Sequence, residues 1–86
     1  MKRRFEVVVS LKEGLADPQG KAIEGSLPAM GWTNVSNVRV GKYIELTVEA
    51  DDAAGARKQV EEMAERLLSN PVIEEFRVTE SDEGAR

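Results

Sequence analysis

Between Val38 and Val48 the chain reads Val-Arg-Val-Gly-Lys-Tyr-Ile-Glu-Leu-Thr-Val, and from Tyr43 onward apolar and polar residues alternate strictly. Ile44, Leu46 and Val48 fall on one side, and Tyr43, Glu45, Thr47 and Glu49 on the other. A period of two rich in β-branched residues is a half-buried strand, because successive side chains leave opposite faces of a pleated backbone. Val35 to Val40 reads as a second strand just before it, and the Gly41-Lys42 break between the two predicts a hairpin. Gly41 would supply the positive φ at the first central position of a type II′ turn. Val35 is out of phase with Val38 and Val40, which a bulge near Ser36-Asn37 would reconcile.

On the N-terminal side, Phe5, Val7, Val9 and Leu11 alternate with Glu6, Val8 and Ser10, so residues 3–11 form a first strand. Asp17-Pro18 is a helix start, with Asp capping free N–H groups and Pro at a position that needs no donor. Ile23, Leu27 and Met30 form the apolar face of that helix. Gly20 and Gly25 weaken it, Pro28 kinks it, and Gly31 suits the residue just beyond its end. On the C-terminal side, Asp51-Asp52 caps a second helix reaching about Ser69. Its apolar stripe is Ala56, Val60, Met63 and Leu67, widened by Ala64 and Leu68, and its outer face carries ion pairs four residues apart. Asn70-Pro71 stops it, and Val72 to Thr79 reads as a fourth strand with Phe76 and Val78 on one side.

The order is therefore βαββαβ. With short, right-handed connections it predicts an α+β, ferredoxin-like two-layer sandwich: a four-stranded antiparallel sheet with two helices on one face. Strands one and three would be central. Residues 1–80 make one domain and residues 81–86 a flexible tail. The open sheet face would carry Arg4, Glu6, Val8, Ser10, Tyr43, Glu45, Thr47 and Glu49. Val8 and Tyr43 on it are either a contact surface or ordinary scattered apolar residues.

Two zeros in the composition bound the chemistry. The 86 residues contain no Cys and no His, which removes thiolate nucleophiles, disulfides, and the commonest general base and metal ligand. The net charge of −4 argues against a nucleic-acid partner held by phosphate contacts. No run is long and apolar enough for a membrane span, so a cytoplasmic chain is expected. Asp51-Asp52 reads as a cap, Glu61, Glu62 and Glu65 as a solvated helix face, and Glu74-Glu75 as residues on opposite faces of a strand. None makes a nucleophile–base pair or a metal set, so no catalytic, cofactor or metal residue is expected in this chain.

Three loops remain. Asp17-Pro18-Gln19-Gly20-Lys21 sets backbone N–H groups and a Lys at a helix N-terminus, and Gly20 and Lys21 are not needed for capping. Arg39-Val-Gly41-Lys42-Tyr43 is either a solvated hairpin tip or a docking loop, since Arg, Lys and Tyr suit a partner surface. Asn70-Pro71 comes second to these. The candidate partner-binding residues are thus Asp17, Gln19, Gly20, Lys21, Arg39, Gly41, Lys42, Tyr43, Asn70 and Pro71.

Four blocks then resemble a known family: Leu11-Lys12-Glu13, Asp17 to Ala22, Val38 to Leu46, and Asn70 to Glu74. In order and spacing, over roughly residues 5–80, they are similar to the PurS subunit of phosphoribosylformylglycinamidine synthase. Pro28 and Trp32 depart from its pattern without touching the blocks. The resemblance implies a non-catalytic subunit of an ATP-dependent amidoligase of purine biosynthesis. That complex makes formylglycinamidine ribonucleotide from formylglycinamide ribonucleotide, ATP and glutamine. As a homodimer, the small subunit would bridge a PurQ-type glutaminase and a PurL-type synthetase and help ammonia pass between them. ATP and Mg would sit on the synthetase. The same topology also serves small-molecule-binding regulatory domains, which would show saturable metabolite binding. A stand-alone small enzyme of this fold would need an Arg-bearing anion loop after strand one, and residues 12–17 contain no Arg.

Overall fold

Strand β1, Lys2–Leu11, is the spine of the molecule, and the computed structural model describes residues 1–81. Its alternation works as expected: Phe5, Val7 and Val9 are buried on one face, and the residues between them line the other. Helix α1 spans Pro18–Ser26, β2 Lys42–Glu49, α2 Ala53–Met63 and β3 Glu74–Glu80. The sheet order is β2-β1-β3, with both pairs antiparallel. Val7 stands opposite Ile44 on one side and Val78 on the other.

The sheet has three strands, which corrects the four-stranded expectation. Residues 35–41 pair with no strand, and β2 is an edge rather than a central strand. The predicted hairpin is absent, for Gly41 lacks positive φ, which among the described glycines belongs to Gly14 and Gly31. Gly41 instead precedes β2 directly and lies against β1, where an added Cβ would stand 2.5 Å from the Val9 carbonyl oxygen. Close backbone approach, not turn geometry, is what requires glycine here. Asn37 holds a positive φ of 58°, close to the expected irregularity, in a conformation that Asn tolerates better than most residues.

Only α2 closes the core. Ala56, Val60 and Ala64 pack onto Phe5, Val7, Val9 and Val48, with Leu68, Phe76 and Val78 around them. The expected stripe partner Leu67 is 81% exposed. After Met63 the backbone widens into one π turn, Ala64–Leu68, closed by the Ser69 N–H donating to Ala64 O at 2.9 Å. A turn with an extra residue rotates the side chains beyond it, so Leu67 swings outward while Leu68 stays against the core. Asp52 caps α2 through Gly55 N–H, as the sequence predicts.

Helix α1 does not join that layer, which corrects the expectation of two helices on one face. Its only buried residue is Gly20, and Ile23 is 46% exposed. Pro28 ends the α-helical hydrogen bonding, and a short 3₁₀ turn, Pro28–Met30, follows. Gly31 closes it with φ 104° and its N–H on Pro28 O, the role its position predicts. With α1 and residues 27–41 standing beyond the sheet, the Cα radius of gyration is 16.5 Å, where a compact chain of this length has roughly 12 Å. The predicted tail lies, apart from Ser81, outside the described residues. Among the described residues, no helix is long and apolar enough to cross a membrane.

Candidate functional site

The sequence-predicted loops meet at the C-terminal end of β1. Asp17 caps α1 by accepting Gly20 N–H on Oδ1 at 2.9 Å, and its Oδ2 accepts Val40 N–H at 2.9 Å. Two residues away, Val38 N–H donates to Glu24 Oε1 at 3.0 Å, and the Arg39 guanidinium donates to Leu11 O. Carboxylates of α1 thus take the alternate N–H groups that a strand neighbour would have taken, and residues 38–40 travel with the helix. The Gly20 and Val40 N–H groups hold the Asp17 carboxyl below the usual carboxylate value, and the Arg39 charge adds to this.

Gly20 is the contact point between helix and strap. An added Cβ there would lie 2.4 Å from Val38 O and 2.6 Å from Asp17 Oδ2. This explains a glycine that capping alone left unexplained. The third loop turns locally: Asn70 O accepts Ile73 and Glu74 N–H, Glu74 Oε1 accepts Asn70 N–H at 2.7 Å, and Lys12 N–H on Ile73 O ties the turn to β1.

Asp17, Gln19, Gly41 and Lys42 line one cleft of about 330 Å³, with Leu11 and Glu74 completing its rim. Lys21 and Arg39 face a neighbouring concavity with Leu15 and Asn37. Lys42 reaches back to α2, its Nζ donating to Leu68 O at 3.0 Å. Tyr43 is elsewhere, on the open sheet face, where its hydroxyl donates to Glu6. Glu24 is an anchor that the sequence does not mark, and Glu74, though inside the Asn70 to Glu74 block, shows its anchoring role only in the fold.

The cleft has little chemistry of its own. Asp17 and Glu74 are engaged by backbone N–H groups, and Lys42 by a carbonyl. Among the described residues no group of three or more carboxylates could hold a metal ion. What these residues do is join three segments and leave a shaped, polar surface.

The PurS family model, described as phosphoribosylformylglycinamidine (FGAM) synthase, matches residues 4–82. The chain belongs to the PurS family. A PurS subunit of phosphoribosylformylglycinamidine synthase from Bacillus subtilis is 47% identical over 74 residues, 86% of this chain and 87% of that one. The crystal structure of the PurS subunit from Thermotoga maritima superposes with a TM-score of 0.87 at 36% identity, covering 94% of this chain and 93% of that chain. A chain in the structure of PurLQS from the same organism gives the same TM-score and identity, covering 94% of this chain and 99% of that one. The PurS family pattern thus covers the three loops that meet at the end of β1.

Proposed function

We propose that this chain is the small, non-catalytic subunit of phosphoribosylformylglycinamidine synthase in purine biosynthesis. It bridges a glutaminase subunit and an ATP-dependent synthetase subunit and assists ammonia transfer between them, acting as a homodimer in the cytoplasm. The complex converts formylglycinamide ribonucleotide, ATP and glutamine to formylglycinamidine ribonucleotide, with ATP and Mg held by the synthetase. One observation carries this reading: the chain has the fold of a chain within PurLQS over nearly its whole length. The composition agrees, because a chain without Cys or His lacks the thiolate nucleophile and imidazole base of a Cys–His pair for opening glutamine.

The docking surface in this reading is the end of β1 where Asp17, Gln19, Gly20, Lys21, Arg39, Gly41 and Lys42 gather, with Asn70-Pro71 beside it and Tyr43 on the adjacent sheet face. Its test is reconstitution. A matching synthetase and glutaminase are assayed with and without this chain, first with glutamine and then with free ammonia. Glutamine-dependent turnover that requires the chain, beside ammonia-dependent turnover that does not, is the expected result. Indifference of both rates removes the reading.

A further inference from the structure

Among the described residues Ser69 is the one buried polar side chain, at 9% exposure. It stands where α2 ends. The π turn Ala64–Leu68 precedes it, and its own backbone, at φ −130° and ψ 162°, is already extended. Both of its donors go to one acceptor. The Ser69 N–H reaches Ala64 O at 2.9 Å, and its hydroxyl reaches the same oxygen at 2.8 Å.

Ala64 O can draw on either of two backbone donors. An unbroken α-helix would give it the N–H four residues on, at Leu68, and a π turn gives it the N–H five residues on, at Ser69. The Ser69 hydroxyl favours the second. In an α turn Ser69 would be carried off this carbonyl, and a buried hydroxyl left without a partner costs more than an ordinary hydrogen bond returns. The carbonyl of Leu68, at the end of the same turn, is taken by Lys42 Nζ at 3.0 Å. Helix ends leave such carbonyls without an intrahelical donor, and a Lys suits them. The exit from α2 is thus held from two sides, by Ser69 from within and by Lys42 from the start of β2.

The third candidate loop begins at the next residue. Ile73 and Glu74 N–H close a turn on Asn70 O, and Ile73 O accepts Lys12 N–H at 2.9 Å. That turn brings Glu74 to the rim of the cleft that Asp17, Gln19, Gly41 and Lys42 line. A rotation of the chain at position 69 would swing Asn70 and Pro71 with it. We propose that Ser69 is a positioning residue: its two bonds to Ala64 O set where the Asn70–Glu74 turn stands against the end of β1, and hence the shape of the docking surface. Being buried, it acts through the turn rather than by contact. The docking part deepens the proposed function and rests on it, whereas the hold on the turn does not.

The test separates the hydroxyl from the space it fills. S69A removes the hydroxyl and leaves no donor unpaired, and S69T keeps it. In the isolated chain, amide exchange at Ser69 and Lys12 is expected to quicken about fivefold in S69A, the factor that one net hydrogen bond is worth, and to stay slow in S69T. Exchange along the β1–β2 ladder should not change. In reconstitution with a matching synthetase and glutaminase, S69A should need a higher concentration of the chain for half-maximal glutamine-dependent turnover. The plateau and the ammonia-dependent rate should hold, and S69T should restore the lower concentration. Exchange in S69A equal to that of the unaltered chain, or S69A and S69T impaired alike, overturns the positioning role. Quickened exchange beside an unshifted half-maximal concentration overturns its bearing on docking. An unaltered chain that fails to couple the two activities removes the proposed function instead, and exchange then decides what Ser69 holds.

Discussion

Glu6 and Glu45 stand directly opposite each other on β1 and β2, two carboxylates in a cross-strand pair. Like charges at such a site repel. Each is answered on the diagonal: the Arg4 guanidinium pairs with Glu45, and the Tyr43 hydroxyl donates to Glu6. The open face is therefore a small braced network rather than scattered surface residues. Replacing Arg4 by Met leaves the repulsion uncompensated and is expected to cost about 0.5–1 kcal/mol, less in high salt. Urea unfolding of R4M, E45Q and the double variant checks this. The double variant should recover most of the loss.

Asp17 serves the cap and the strap together. Its folded-state pKa lies below its unfolded value, so its contribution is complete above the ordinary carboxylate range. It is lost as pH falls through the depressed folded value. D17N is expected to melt lower at neutral pH and to show a shallower loss of stability below about pH 4 than the unaltered chain. Melting curves from pH 7 to pH 2 measure both.

Two glycines of α1 should respond in opposite ways to the same change. Gly25 has nothing within 4 Å of an added Cβ, so G25A should stabilise by about 0.5–1 kcal/mol through helix propensity. At Gly20 the same methyl meets Val38 O at 2.4 Å. G20A is expected to destabilise and to detach residues 38–40, visible as faster amide exchange at Val38 and Val40.

The two ends of the α2 stripe should separate as well. Val60 is fully buried, and V60A is expected to cost about 2–3 kcal/mol. L67A, at an 81% exposed site, should change stability by less than about 0.5 kcal/mol. Chemical denaturation of both variants distinguishes the observed π turn from an unbroken α-helix, in which Leu67 would share the face of Val60.

Much of this was legible in the residues. The alternation in β1, β2 and β3, the Asp17 and Asp52 caps, the Gly31 stop and the Asn70-Pro71 break act locally, and each carries its own physical signal. The π turn was not legible, because it depends on how Ala64 and Leu68 settle on the sheet. The candidate loops were marked as over-determined for their local geometry. Glu24 and Glu74, which help to hold them, are ordinary surface residues until the chain brings Val38 and Asn70 to them.

Gly41-Lys42 shows where local information ends. Its residues are compatible with a tight turn and with a straight passage, since glycine accepts either backbone conformation at little cost. The strand periods, the helix starts and the absence of Cys and His were determined by the sequence itself, because they depend on near neighbours and residue types. The tertiary structure decided that residues 35–41 leave the sheet. There the Val9 carbonyl crowds Gly41, and Asp17 and Glu24 accept the N–H groups that a hairpin would have paired. Contacts distant along the chain outweighed a turn preference worth little by comparison.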